Sequence, residues 1–235
     1  LKLGTYGFLR FNRALLPDAW DFFVPAILVL AVIGILYGAW VALVQPDIKK
    51  LVAYSSVSHL GFVMLGLAAG TVASTQGAIL QMVNHGLSTG ALFLLVGVIY
   101  ERRHTRLIAD YGGIAGVVPV YTGVFLLVTL SSIGLPGLNG FVGEFLILAG
   151  AWSGHPWAVV GAGLGIIFGA VYMLWMFQRV FWNPLDNEEN KDLRDMNPRE
   201  LLAMVPILVL IVWIGVYPTT FLAPMEAAVR ALLVP

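Results

Sequence analysis

The chain has 235 residues, 59% of them hydrophobic and only 11% charged, with a formal net charge of zero at pH 7. Its mean hydropathy is +0.88, whereas a soluble domain carries about 25% charged residues, so the composition excludes an ordinary soluble domain and fits a membrane protein. No basic run is dense enough to engage nucleic acid, and the absence of cysteine excludes disulfides, thiolate metal sites and cysteine nucleophiles.

The chain opens as LKLGTYGFLRF, already inside an apolar pattern and without an initiator Met. That reads as an interior start, in a piece of a longer chain. Crossing a bilayer takes about 20 apolar residues as a helix. After a partial run at 1–11, the qualifying runs are roughly 25–44, 51–69, 77–100, 119–152, 157–182 and 202–223. They predict an all-α, polytopic transmembrane helix bundle of about seven spans, forming a single transmembrane domain over 1–235. There is no strand signal and no internal repeat. The charged stretch 183–200 reads as a solvated connection, and the tail APMEAAVRALLVP admits either a short interfacial helix or a frayed end.

The run at 119–152 is too long for one straight crossing, since at about 1.5 Å per residue it would reach roughly 50 Å. It contains LPGLNG at 135–140, where Pro136, Gly137 and Gly140 interrupt the backbone ladder. A broken helix inside a membrane is tolerated where protein or water covers the freed amides and carbonyls, which makes this segment a site candidate. A new helical segment is expected to start at about Gly140 or Phe141, placing Glu144 in its first turn, where free N–H groups favour negative charge.

Following the chain through these spans puts Lys49, Lys50, Arg102, Arg103, Arg106, Arg179, Lys191, Arg194 and Arg199 on one side. Only Arg10, Arg13 and Arg230 fall on the other. The positive-inside rule makes the first side cytoplasmic or the matrix.

Every acid but Glu144 lies in a loop or at the chain end, and no Asp, Glu, Lys or Arg separates Glu144 from Asp110 on one side or Arg179 on the other. Lys2, His59 and His85 also fall within apolar runs. Ionisable groups at membrane depth cost several kcal/mol and tend to face a bundle interior or cavity. Burial brings Lys and Glu toward the range in which His titrates, so these four suit a proton path. Ser55 lies four residues before His59, while Gln81 lies four before His85 and Ser88 three after it, making polar stripes that can hold proton-carrying water. Each histidine alone equally suits a static interhelical hydrogen bond, Lys2 can snorkel, and Glu144 can pair with a base. The Gly-rich GAGLGIIFGA at 161–170 reads as close helix packing.

The stretches QPDIKKLVAYSSVSHLGFVMLGL, QMVNHGLSTGALFLLVGVIYERRHTR and LPGLNGFVGEFLILAGAW resemble the antiporter-like membrane subunits of proton-pumping NADH–quinone oxidoreductase (respiratory complex I). Among these the stretches look like chain M, or subunit 4. Members of that family have about fourteen helices in inverted repeats, and this chain is similar to the C-terminal half, from within the eighth helix onward. The resemblance implies that Lys2 is the lysine of a discontinuous helix near mid-membrane. It implies that His59 and His85 continue a hydrophilic axis, and that Glu144 is the terminal acid on a broken helix. A glutamate and a lysine that load the channel would lie upstream.

By the same resemblance no cofactor or metal belongs to this chain; FMN, iron–sulfur clusters and quinone are expected in other subunits. The expected partners are other membrane subunits, including the sister antiporter-like subunits L and N, together with the lipid of an energy-transducing membrane. The function implied is subunit-level proton translocation in an NADH:quinone oxidoreductase, without redox chemistry on this chain. A subunit of a multisubunit cation/proton antiporter or of a membrane-bound hydrogenase is the alternative.

Overall fold

A computed structural model describes residues 2–233. It is almost wholly helical: α1 (Lys2–Gly7) runs into a π-helical segment (Phe8–Arg13), followed by α2 (Pro17–Leu43), α3 (Ile48–Ala69) and α4 (Val72–Arg103). Then come α5 (Pro119–Ile133), α6 (Asn139–Ala151), α7 (Pro156–Phe177) with a π-helical extension (Gln178–Trp182), α8 (Pro198–Val216) and α9 (Thr219–Leu233). Among the described residues no strand forms beyond an isolated bridge between Asp47 and Leu107. Helices α2, α3, α4, extended α7 and α8 are each long and apolar enough to cross a bilayer, while α5 and α6 are shorter and lie end to end.

Local chemistry sets most boundaries. Asp47 caps α3 by accepting from the Lys50 N–H at 3.1 Å, and Gly70, at φ +69°, closes it. Thr71 and Ser74 form a capping box at the start of α4, as Asn197 and Glu200 do for α8. Pro119, Pro156 and Pro198 open their helices at positions where no N–H is needed.

Several boundaries differ from the apolar runs. Helix α2 starts at Pro17, so Asp18 and Asp21 lie in its first turns; acids are favoured at a helix N-terminus, a signal that hydropathy does not carry. Helix α4 takes in most of TVASTQ because Thr71 caps it. The last apolar run divides at Tyr217 and Pro218: α8 ends at Val216, and the tail folds as the amphipathic α9.

Helix α3 is buried along most of its length and α8 along little. One core joins α3, α4, α5 and α7, and a second joins α2, α3 and α7. The Gly-rich stretch serves packing: a Cβ at Gly161 would meet Val32, and one at Gly165 would run into Ile35. Large apolar side chains such as Phe22, Leu30 and Ile33 on α2, and Val160 and Ile167 on α7, face outward, as a lipid-facing surface requires.

The loops gather at two ends of the bundle. At one, Arg102 pairs with Glu200 at 2.7 Å, Arg103 with Glu189, and Arg106 with Asp47 at 3.4 Å. Asn187 and Asn190 both donate to the Asp110 carbonyl at 3.0 Å. Burial pushes the Tyr111 hydroxyl above its usual range, so it stays a donor to the Thr105 carbonyl. At the other end Arg13 donates to the Leu67 carbonyl at 3.1 Å, and Gln76 to that of Leu222 at 3.3 Å. Of the basic residues assigned to one side in the sequence, Arg102, Arg103 and Arg106 form these contacts at one end.

Candidate proton-relay site

Helices α3, α4 and α6 converge on a buried polar cluster, with the break between α5 and α6 at its edge. The chain turns there because Gly134 (φ +85°) and Gly137 (φ +93°) adopt left-handed backbone angles that only glycine takes without strain. Pro136 lies between them. Gly140, expected to be part of the break, instead lies in the first turn of α6, where a Cβ would collide with the Ser131 carbonyl. Helix α6 starts at Asn139, which puts Glu144 in its second turn rather than its first. The charge on Glu144 therefore depends on side-chain partners, since the favourable field of a helix N-terminus fades beyond the first turn.

Those partners are His59 and Gln81. Glu144 is 4% exposed and His59 8%, burial deep enough that neither charge is tolerable alone. His59 Nδ1 and Glu144 Oε1 share a hydrogen bond of 2.8 Å. Gln81 Nε2 donates to the same oxygen at 3.0 Å. Glu144 Oε2 faces the break: a Cβ on Gly134 would sit 3.4 Å from it. The small residues of GFVGEF make this approach possible, because a Cβ on Gly143 would collide with Gln81.

His85 stacks edge-on against His59, with ring centroids 5.3 Å apart. Its Nε2 pairs with Thr89 Oγ1 at 3.3 Å, and its Nδ1 has no partner. His85 lines a cavity of about 10 Å³, room for one water molecule. Asn84 and Ser132 line the same cavity, and Asn84 Oδ1 and Ser132 Oγ are buried without a partner. Lys2, half-buried at the start of α1, lies near enough for its charge to act on His85.

The supporting residues are present but serve other groups than the sequence suggests. Ser55 Oγ donates to the Val52 carbonyl at 2.8 Å rather than to His59. Gln81 serves Glu144 rather than His85, and Ser88 meets Ser131 at 2.7 Å. Helical spacing says which side chains share a face; it does not say which neighbouring helix supplies the partner. Sequence reasoning missed Asn84, Thr89, Ser131, Ser132 and Asn139, all bonded into or lining this cluster. It also missed Tyr172, fully buried on α7 beside Ser55 and within electrostatic reach of Glu144. A signal existed for two of them: Asn84 adjoins His85, and Asn139 is a lone amide in an apolar run.

Comparison with known proteins identifies the chain's family. The chain is 44% identical over 234 residues, its whole length, to NADH-quinone oxidoreductase subunit M of Rickettsia conorii, covering 48% of that protein. It is 42% identical to NADH-ubiquinone oxidoreductase chain 4 of Marchantia polymorpha, with 99% of this chain and 47% of that one aligned. The chain thus spans about half the length of the curated relatives it matches. Its fold superposes with a TM-score of 0.91 and 36% identity on a chain of respiratory complex I from Thermus thermophilus with bound NADH, covering all of this chain and 50% of that one. Residues 1–169 match the family described as NADH:quinone oxidoreductase/Mrp antiporter, TM. The chain belongs to this NADH:quinone oxidoreductase/Mrp antiporter transmembrane family.

Proposed function

We propose that this chain carries the proton-releasing half of a translocating membrane subunit of NADH–quinone oxidoreductase, in an energy-transducing membrane. The observation that carries the reading is the buried hydrogen bond between His59 and Glu144, shared with Gln81. The names of the most similar relatives and the match to a complex I chain support the assignment to that complex. Flavin, iron–sulfur and quinone chemistry then belong to other subunits, and the partners are its neighbouring membrane subunits, L and N among them.

The proton path runs from Lys2 through His85 and His59 to Glu144, a reading supported by the ring contact between the two histidines and by the hydrogen bond from His59 to Glu144. With Glu144 ionised, His59 Nδ1–H donates to Oε1 and leaves Nε2 to accept a proton. The imidazolium so formed passes its Nδ1 proton to Glu144, and the ring is neutral again with its proton on Nε2. A half-turn of the neutral carboxyl group then carries the proton from the His59 side to the side facing the break, where Glu144 releases it and is ionised again. Water in the cavity beside His85 bridges the groups that do not touch. Protons leave on the side opposite the basic end of the bundle.

The test is Glu144→Gln in the full-length subunit within the assembled complex. Assembly is retained, because glutamine keeps an acceptor for His59 and Gln81, and proton pumping is largely lost. Normal assembly with an unchanged proton-to-electron ratio would refute the role. The proteins that co-purify with the chain separate this assignment from an antiporter or hydrogenase: NADH-oxidising flavin subunits are expected.

A further inference from the structure

The break between α5 and α6 is held by groups that do not ionise near neutral pH. Asn139, the first residue of α6, is fully buried. Its Oδ1 accepts from Ser131 Oγ on α5 and, at 3.3 Å, from Ser88 Oγ on α4. Its Nδ2 donates to the Asn84 carbonyl at 3.3 Å, and its own carbonyl accepts from Asn84 Nδ2 at 2.7 Å. The two asparagines thus bond each other reciprocally, and Asn139 joins both sides of the break to α4.

From Asn84 the amides continue to the carboxylate. Asn84 Nδ2 faces Gln81 Oε1 at 3.5 Å, and Gln81 Nε2 donates to Glu144 Oε1. Because a carboxylate only accepts, it fixes which end of each amide points along the chain. The link is charge-sensitive, since an ionised acceptor binds an amide more strongly than a neutral one. It also has somewhere to go: Asn84, His85 and Ser132 line one cavity, and Asn84 Oδ1, His85 Nδ1 and Ser132 Oγ are all buried without a partner.

We propose that Asn139 and Asn84 are positioning residues that couple the geometry of the α5–α6 break to the charge on Glu144. This deepens the relay reading and rests on it. While Glu144 is ionised it holds Gln81, Gln81 and Asn139 hold Asn84, and the break stays closed against Glu144 Oε2. When Glu144 gains a proton its hold on Gln81 weakens, Asn84 turns toward the cavity, and the reciprocal bond to Asn139 opens. The break then loosens on the side of the carboxyl from which the proton leaves.

The experiment compares Asn139→Ala, Asn84→Ala and Glu144→Gln, each in the full-length subunit of the assembled complex. NADH oxidation, the proton-to-electron ratio and the infrared carbonyl band of the Glu144 carboxyl are measured, the band being assigned by its loss in Glu144→Gln. Both asparagine variants are expected to oxidise NADH, to lose pumping to an extent approaching Glu144→Gln, and to shift the Glu144 band. If Asn139→Ala fails to assemble, Asn84→Ala decides alone, because it leaves the Ser131 and Ser88 bonds to Asn139 in place. An assembled Asn84→Ala complex with normal pumping and an unmoved band overturns the inference while Glu144→Gln still fails to pump. Normal pumping in Glu144→Gln would instead overturn the relay reading beneath it.

Discussion

His59 Nδ1 and Glu144 Oε1 lie 2.8 Å apart across 85 residues of sequence, joining α3 to α6 at the centre of the bundle. His85, although it also lies in the cluster, makes no hydrogen bond to the acid; its ring meets that of His59 instead. The two histidines therefore differ in kind. His59→Ala removes a direct partner of a buried carboxylate, whereas His85→Ala removes a group whose place water in the adjoining cavity can take. Proton-to-electron ratios of the two assembled variants should rank accordingly, with His59→Ala the lower. Equal ratios would mean that the direct contact with Glu144 carries no special weight.

Gly134 ends α5 at φ +85°, and its missing side chain leaves room for Glu144 Oε2. Gly134→Ala forces an L-residue into the left-handed region, at a cost of about 1–2 kcal/mol, and places a methyl group against the carboxylate. The complex should unfold at a lower temperature and pump less. Gly123→Ala, a change on the same helix with nothing near its Cβ, is the matched control and should leave pumping unchanged and melting unchanged or slightly raised.

How much of this was legible in the sequence depends on the kind of force at work. Burial of apolar runs is written along the chain, so the long helices and the break were visible from hydropathy and from Pro136 and Gly137. The solitary charge of Glu144 was visible for the same reason: an acid in an oily run stands out. Gly140 was misplaced because sequence shows that a residue lacks a side chain, not whether a turn or a close approach to the Ser131 carbonyl requires it. The partners of Gln81 and Ser88 were out of reach because they lie on other helices. The family resemblance implied roles for Lys2, His59, His85 and Glu144, but it drew no attention to Asn84 or Asn139.

Asp195 offers a prediction far from the cluster. Its carboxylate accepts from the N–H groups of Val120 and Tyr121 at 2.8 and 2.9 Å, capping α5 from a loop more than seventy residues away, while its carbonyl takes a bond from Arg102. Losing a cap costs about 0.5–2 kcal/mol. Asp195→Ala should therefore lower the thermal stability of the assembled subunit, with Asp195→Asn, which keeps an acceptor, intermediate. Identical melting for Ala and wild type would show that water replaces the cap.

The packing of α2 on α7 can be probed through the two faces of one glycine-rich stretch. A Cβ at Gly165 would run into Ile35, whereas one at Gly163 meets nothing within 4 Å. Overpacking a tight contact costs about 1–3 kcal/mol, so Gly165→Val should destabilise the bundle measurably. Gly163→Ala should leave melting unchanged or raise it slightly, because alanine suits a helix interior better than glycine. The reverse order would place the packed face on the wrong side of α7.

Gly143 and Gln81 test the environment of Glu144 without touching its charge. Gln81→Leu removes the amide that donates to Oε1, a bond to a charged acceptor contributing about 1.5–3 kcal/mol. Gly143→Ala removes no polar atom, but its methyl group would occupy the place of the Gln81 side chain, pushing the amide away from Oε1. Both variants should lower the proton-to-electron ratio, although one acts by chemistry and the other by shape. The double variant Gln81→Ala with Gly143→Ala relieves the crowding without restoring the bond, so its melting temperature should recover above that of Gly143→Ala while its pumping stays low. Recovery of pumping together with stability would show that crowding alone, and not the lost hydrogen bond, is what impairs Glu144.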